Sequence, residues 1–240
     1  MGVIVLILGN SGTGKSASMR NFKREELGVI NVASKPLPFR SNIATFNTAD
    51  YGQVMTAITK AKTKSIVIDD CQYLMAFEFM RKANIKGYDK FTEIANNFYN
   101  LIQSAIKDTA KDKIVYFMAH TETDANGNDK MKTIGKMLDE KITVEGMFTI
   151  VLKTVVDTGK YYFSTQNNGH DTVKSPMGMF DGYLLENGLI ENDLKRVDEI
   201  IREYYGLDKK DNSKDKPENK TKNETVKVSE VVNNDTATIY

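Results

Sequence analysis

Cysteine is almost missing from this chain: Cys71 stands alone among 240 residues, so no disulfide can form within it and its stability has to come from packing. That thiol follows an aspartate directly and reads as a small packed residue in a reducing compartment, not as a reactive nucleophile. Long apolar runs are missing as well. The N-terminal run Val3 to Leu8 leads into glycines instead of a cleavage site, so the expectation is a soluble, cytoplasmic protein with no membrane partner. Net charge is also small, since 33 basic side chains face 32 acidic ones, and any nucleic-acid surface must therefore be local. Arginine is scarce, which argues against a small-molecule kinase that closes an arginine-bearing lid on its substrate.

What is present is concentrated in one stretch. Gly9-Asn10-Ser11-Gly12-Thr13-Gly14-Lys15-Ser16 fits the phosphate-loop pattern at every fixed position, and the apolar run before it supplies the strand that the pattern requires. Such a loop turns several backbone N–H groups into one concavity, and a helix expected over residues 16–26 would add its positive end. Residues Gly9 to Ala17 are therefore the expected nucleotide-binding set. Within it Lys15 reaches the β- and γ-phosphates, and the Ser16 hydroxyl ligates Mg²⁺.

Later strands are expected to bring further groups to the same end. Ser65 to Asp70 reads as a buried parallel strand ending in carboxylates, with Asp69 as the second metal contact and Asp70 either a general base or the cap of the next helix. Ile114 to Ala119 reads as another strand, ending at His120, which is placed to sense the γ-phosphate. Between phosphate loop and aspartate strand come an extended loop through Pro36 and Pro38, in which Lys35 and Arg40 read as solvated or phosphate-touching, and a helix from about Asp50 to Lys62. Helical spacing then marks Tyr73, Leu74, Phe77 and Met80, and after a break Phe91 to Ile106.

Lys82, Lys86, Tyr88 and Lys90 are expected in a loop suited to single-stranded nucleic acid, with Lys130, Lys132, Lys136 and Lys141 in a long loop over residues 123–141. An antiparallel hairpin is expected around Asp157-Thr158-Gly159, and Asn192 reads as the cap of a last helix carrying Leu194, Val197, Ile200, Ile201 and Tyr204. The domain organisation expected is thus a core over residues 1–206 and a disordered, charged linker and tail over 207–240, whose Val226, Val228, Val231 and Val232 suit addition to a partner's sheet edge.

The order of these elements resembles the RecA-like ATPase core: an α/β phosphate-loop fold, with a mostly parallel central sheet flanked by helices and a late antiparallel hairpin. Gly9 to Ser16, Ile66 to Asp70, the strand ending in His120, and Asp171 to Phe180 look more closely like small phage ATP-binding proteins, some of them linked to single-strand annealing and recombination. That resemblance implies ATP, Mg²⁺, association with single-stranded DNA and assembly into a homo-oligomeric ring or filament, in the cytoplasm of a host cell. It also implies that a cation near the late hairpin reaches a neighbouring subunit's γ-phosphate, and Lys174, between a polar loop and Pro176, is the candidate. One departure stands out: nothing matches the separate catalytic glutamate that RecA carries between the phosphate loop and the aspartate strand. The function expected is a DNA-dependent ATPase, against a phosphotransferase or a nucleotide-gated module with negligible turnover.

Overall fold

Alternate residues of each central strand are apolar on both faces, so the strands fit a sheet covered on both sides. In the computed structural model, which describes residues 1–208, β1 (Val3–Leu8), β2 (Leu27–Asn31), β3 (Ala44–Asn47), β4 (Ser65–Asp69), β5 (Ile114–Ala119) and β8 (Ile150–Asp157) run parallel in the order β8-β1-β5-β4-β2-β3. Strands β9 (Lys160–Ser164) and β10 (Ile190–Glu191) extend the β8 edge with antiparallel pairing, and β6 (Thr121–Thr123) and β7 (Asp129–Met131) form a separate small hairpin. The charged linker and valine-bearing tail, Leu207 and Asp208 apart, lie outside the described residues.

The two faces bury different halves of each strand. Ile4, Leu6 and Leu8 of β1 pack with Ile66, Ile68, Val115 and Phe117 under α1 (Tyr51–Lys60), α2 (Gln72–Arg81) and α3 (Asp89–Lys107). Val5 and Ile7 pack with Val67, Tyr116 and Met118 under α4 (Leu194–Tyr205) and the 3₁₀ turn Ser16–Asn21. Helix α3 buries Ile94, Ala95, Phe98, Leu101, Ile102 and Ala105, the stripe that its sequence marks. Met80 and Tyr204, expected on apolar faces, are exposed. The hairpin is as expected: Thr158 and Gly159 both have positive φ, 46° and 78°, which defines the two-residue turn whose twist matches its strands.

Several expectations need correction. The helix expected over residues 16–26 is a six-residue 3₁₀ segment, where the Ser18 hydroxyl donates to Lys15 O at 2.6 Å and competes with α-helical pairing. The long loop after His120 is structured: β6 and β7 pair around a turn in which the Asp124 carboxylate accepts from the N–H groups of Asn126 and Asn128, and a π-helical turn Met137–Ile142 follows. The last helix is capped by Asp193, not Asn192; its carboxylate accepts from Lys195 N at 3.0 Å.

Helix α4 is held to the amino end of the sheet by a buried polar network. Asp198 accepts from the Ser65 hydroxyl at 2.6 Å, from the Tyr116 hydroxyl at 2.9 Å and from Arg202 Nε at 2.6 Å, and Arg202 donates in turn to Asp112 O at 2.9 Å. Removing one member strands the others in a low-dielectric site. Asp198→Ala is expected to cost about 3 kcal/mol, read as a lower urea midpoint at unchanged slope. A loss below about 0.5 kcal/mol would show that the network is replaceable by water.

Candidate functional site

The chain leaves β1 at Leu8 and turns over the carboxyl ends of β1 and β5. Gly9 is required by close approach, since a Cβ there would stand 1.8 Å from the Thr154 hydroxyl of β8. Gly14 is required by conformation, with φ of 97°, and its face abuts the Tyr161 ring and the Asn192 amide. Side chains pin the loop on both flanks: the hydroxyls of Thr13 and Thr154 lie 2.6 Å apart, and Thr121 Oγ1 donates to Asn10 Oδ1 at 2.7 Å. Lys15 is 6% exposed, and its Nζ donates to Gly9 O at 2.7 Å and Asn10 O at 2.9 Å. Burial pushes its pKa below the ordinary lysine value, against the pull of Asp70 and Asp69. Because the segment after Lys15 is a short 3₁₀ turn, the positive field at the loop comes from its own N–H groups and Lys15, without the full helix dipole expected.

Strand β5 lies between β1 and β4, so Asp69 stands two strand spacings, about 10 Å, from the strand that feeds the loop. Ser16 closes that gap, its hydroxyl donating to Asp69 Oδ1 at 3.0 Å. Asp69 is 6% exposed; burial and then the charge of Asp70 push its pKa up to about 6. Asp70 behaves oppositely. Burial raises its pKa, but hydrogen bonds from His120 and Lys35 outweigh that and hold it at about 2. His120 Nε2 lies 3.1 Å from Asp70 Oδ1, and Lys35 Nζ 2.9 Å from Asp70 Oδ2. Asp70 does this from a left-handed backbone, φ 57°, a conformation that aspartate tolerates but that carries strain.

The helix-cap alternative for Asp70 is thereby removed. Cys71 occupies the N-cap of α2 without a side-chain bond, and the Asp70 carboxylate turns into the cleft. Cys71 itself is fully buried, and burial pushes its thiol pKa well up, as befits a packing residue. Lys35, Asp70, His120 and Tyr161 line one cleft of about 450 Å³ with the loop residues Ser11, Gly12 and Gly14 to Ala17. Arg40 lies elsewhere, in a second cleft. Lys174 is also outside: it is exposed and its backbone pairs with Val151 on the far side of β8.

Lys35, read as solvated or phosphate-touching, faces Asp70 in this cleft, whereas Tyr161 and Asn192 carry no local sequence signal and reach Gly14 only through the pairing of β8, β9 and β10. Asn192 is 2% exposed, and neither polar atom of its amide has a partner among the described residues. Four of the seven lysines expected to hold nucleic acid have partners of their own: Lys82 pairs with Glu78 at 2.6 Å and Glu93 at 2.7 Å, Lys90 lies over the Phe79 and Phe91 rings, Lys130 pairs with Asp139, and the exposed Lys136 pairs with Glu140 at 3.2 Å.

A phosphate loop on β1, an aspartate strand two places away, a polar residue ending the strand between them and an antiparallel edge together make a phosphate-loop α/β fold with a mostly parallel sheet flanked by helices. No protein-family model matches the sequence, and no curated protein matches it. Among solved structures, a KaiC-like protein of the hyperthermophilic archaeon Pyrococcus horikoshii is similar at 16% identity, over 68% of this chain and 77% of that one, with a TM-score of 0.39. Among the described residues no helix is long and apolar enough to cross a membrane.

Proposed function

We propose that this chain is a Mg²⁺-dependent ATPase whose turnover is coupled to single-stranded DNA, of the kind that serves phage recombination or replication. The observation that carries the catalytic part is the pairing of two adjacent aspartates with opposite environments: Asp69 against Ser16, Asp70 against His120 and Lys35. The phage and DNA parts are supported by the resemblance of the motifs.

The residues fit the expected ligands. Among the described residues no three His, Cys, Asp or Glu side chains are grouped to hold a metal by themselves, but Mg²⁺ is commonly held by one or two protein oxygens plus substrate phosphates. Ser16 and Asp69 supply those oxygens, and bound Mg²⁺ would neutralise charge on the β- and γ-phosphates. Lys15 exchanges its bonds to Gly9 O and Asn10 O for phosphate oxygens. Asp70, kept ionised by Lys35 and His120, accepts the proton of the attacking water. It takes the place of the absent glutamate, because the carboxylates between phosphate loop and aspartate strand are engaged or remote: Glu26 pairs with Lys195, Asp50 caps α1, and Glu25 lies in the second cleft. His120, bonded to Asp70 and facing the same cleft, links γ-phosphate occupancy to β6 and β7.

Asp70→Asn keeps size and removes the base. It is expected to lower turnover on the order of 10²-fold with ATP affinity nearly unchanged, measured by phosphate release and equilibrium binding. Undiminished turnover would remove Asp70 from the role of base.

A further inference from the structure

Three of the chain's six arginines converge on a single cleft outside the nucleotide site. Arg20, Arg24 and Arg40, with Lys23, line a volume of about 560 Å³, and Glu25 is the sole carboxylate among them. All four cations are exposed, and among the described residues no acidic side chain pairs with any of them. Lys82, Lys130, Lys136, Lys195 and Arg202 each meet a carboxylate, whereas these four cations, gathered from two segments around one cleft, do not.

The cleft lies where the chain enters β2 and β3, at the amino ends of those parallel strands, and so at the opposite end of the sheet from the phosphate loop. Arg20 ties the two regions together. Its guanidinium lines the cleft while donating to Ala17 O at 3.2 Å, next to Ser16, and to Asn192 O at 2.6 Å, next to Gly14's flank.

The geometry points to this cleft as the surface that holds the phosphodiester backbone of single-stranded DNA, an inference that rests on the DNA-coupled reading above and relocates its contact away from the lysine loops. Cations from two separate segments suit a string of phosphates better than one, and guanidinium forks match phosphate oxygens two at a time. The cleft's aromatic, Phe22, is buried, so no exposed ring is offered for base stacking. Binding is therefore to the backbone and independent of base identity. Ser41 and Asn42 add uncharged donors for the same oxygens.

The test is fluorescence anisotropy of a labelled oligo-dT, and of an oligo-dA of equal length, titrated with full-length protein at several salt concentrations. Wild type, Arg24→Ala/Arg40→Ala and Lys86→Ala/Lys132→Ala are compared, with ATP affinity measured in each. The expected result is roughly tenfold weaker binding by the arginine variant at low salt, with a log–log salt slope shallower by about 1.4. The lysine variant and the ATP affinity of both are expected to match wild type. Arg24→Glu/Arg40→Glu should weaken binding further, which separates a charge effect from lost packing. Wild-type binding that the arginine changes leave intact, or that the lysine changes reduce equally, overturns the assignment of this cleft. Absence of binding by wild type with or without ATP overturns the DNA-coupled reading itself.

Discussion

Asp69→Asn is expected to make the ligand-free protein more stable while removing its Mg²⁺-dependent activity. The carboxyl is pushed from an ordinary 3.8 up to about 6, chiefly by burial and secondarily by Asp70. Between those values the unfolded chain has released its proton and the folded chain has not, so native stability falls as pH rises through the interval and stays lowered above it. Once Asp69 is fully ionised the cost is about 2–3 kcal/mol, and the asparagine, which keeps an oxygen for the Ser16 hydroxyl, escapes it. The variant should therefore melt several degrees higher at pH 8 and by much less at pH 4, where the folded carboxyl is neutral and the unfolded one only partly ionised. Turnover should fall on the order of 10³-fold, because an amide neither attracts a divalent cation nor lets phosphate and Ser16 share one. A variant less stable than wild type at pH 8, or one with an unchanged Mg²⁺ titration, would contradict the reading of Asp69 as a charge held ready for a metal.

Lys15→Met is expected to abolish function by a different route. Lysine here is buried, and its ammonium bridges Gly9 O and Asn10 O, so it already holds the loop in the shape of a phosphate cradle. Methionine keeps the stem and loses the charge. ATP affinity or turnover should drop on the order of 10³-fold, while thermal stability changes little because the desolvation that lowers the lysine's pKa is relieved as the two bonds are lost. The same variant tests assembly. Lys174 is exposed and outside its own cleft, which is the placement a contact in trans requires. If the nucleotide lies between subunits, mixing inactive Lys15→Met protein with Lys174→Ala protein creates interfaces with an intact loop and an intact Lys174, and activity should return. No recovery in a mixture shown to co-assemble would argue that Lys174 acts neither in trans nor at the γ-phosphate.

The parts of this site that could be read from sequence are those whose chemistry is contiguous. Gly9 to Ser16 declares itself because eight neighbouring residues build one concavity, and Asp69 follows because an apolar strand can bring only its last residue to the working end. His120 is found by the same reasoning on β5. Lys35 is legible only as a loop cation, solvated or phosphate-touching; its partner is not, since a loop's direction is set by what the loop packs on, and Lys35 is placed by Asp70 and by the Tyr73 ring 5.3 Å away. Asn192 is misread as a helix cap because the neighbouring Asp193 offers the same chemistry and wins the position. Strand β3 is missed because all four of its residues are exposed on an edge, so no alternation of apolar and polar marks it. The hairpin of β6 and β7 is missed for a related reason: three-residue strands with mostly polar side chains are fixed by Asp124 and by pairing with their surroundings, not by periodicity. The lysines show the limit of charge reading in part: Glu78 for Lys82 and Glu140 for Lys136 stand one helical turn away in the sequence, while Asp139 for Lys130 and Glu93 for Lys82 are met only through the fold.

Phosphate release from ATP by the purified full-length protein, measured with and without Mg²⁺ and with and without an unlabelled single-stranded oligonucleotide, tests the central claim most directly. The account predicts turnover that requires Mg²⁺, rises when the oligonucleotide is added, and falls on the order of 10²-fold in Asp70→Asn under the same conditions. No Mg²⁺-dependent phosphate release by wild-type protein, with the oligonucleotide present and ATP bound, would contradict it.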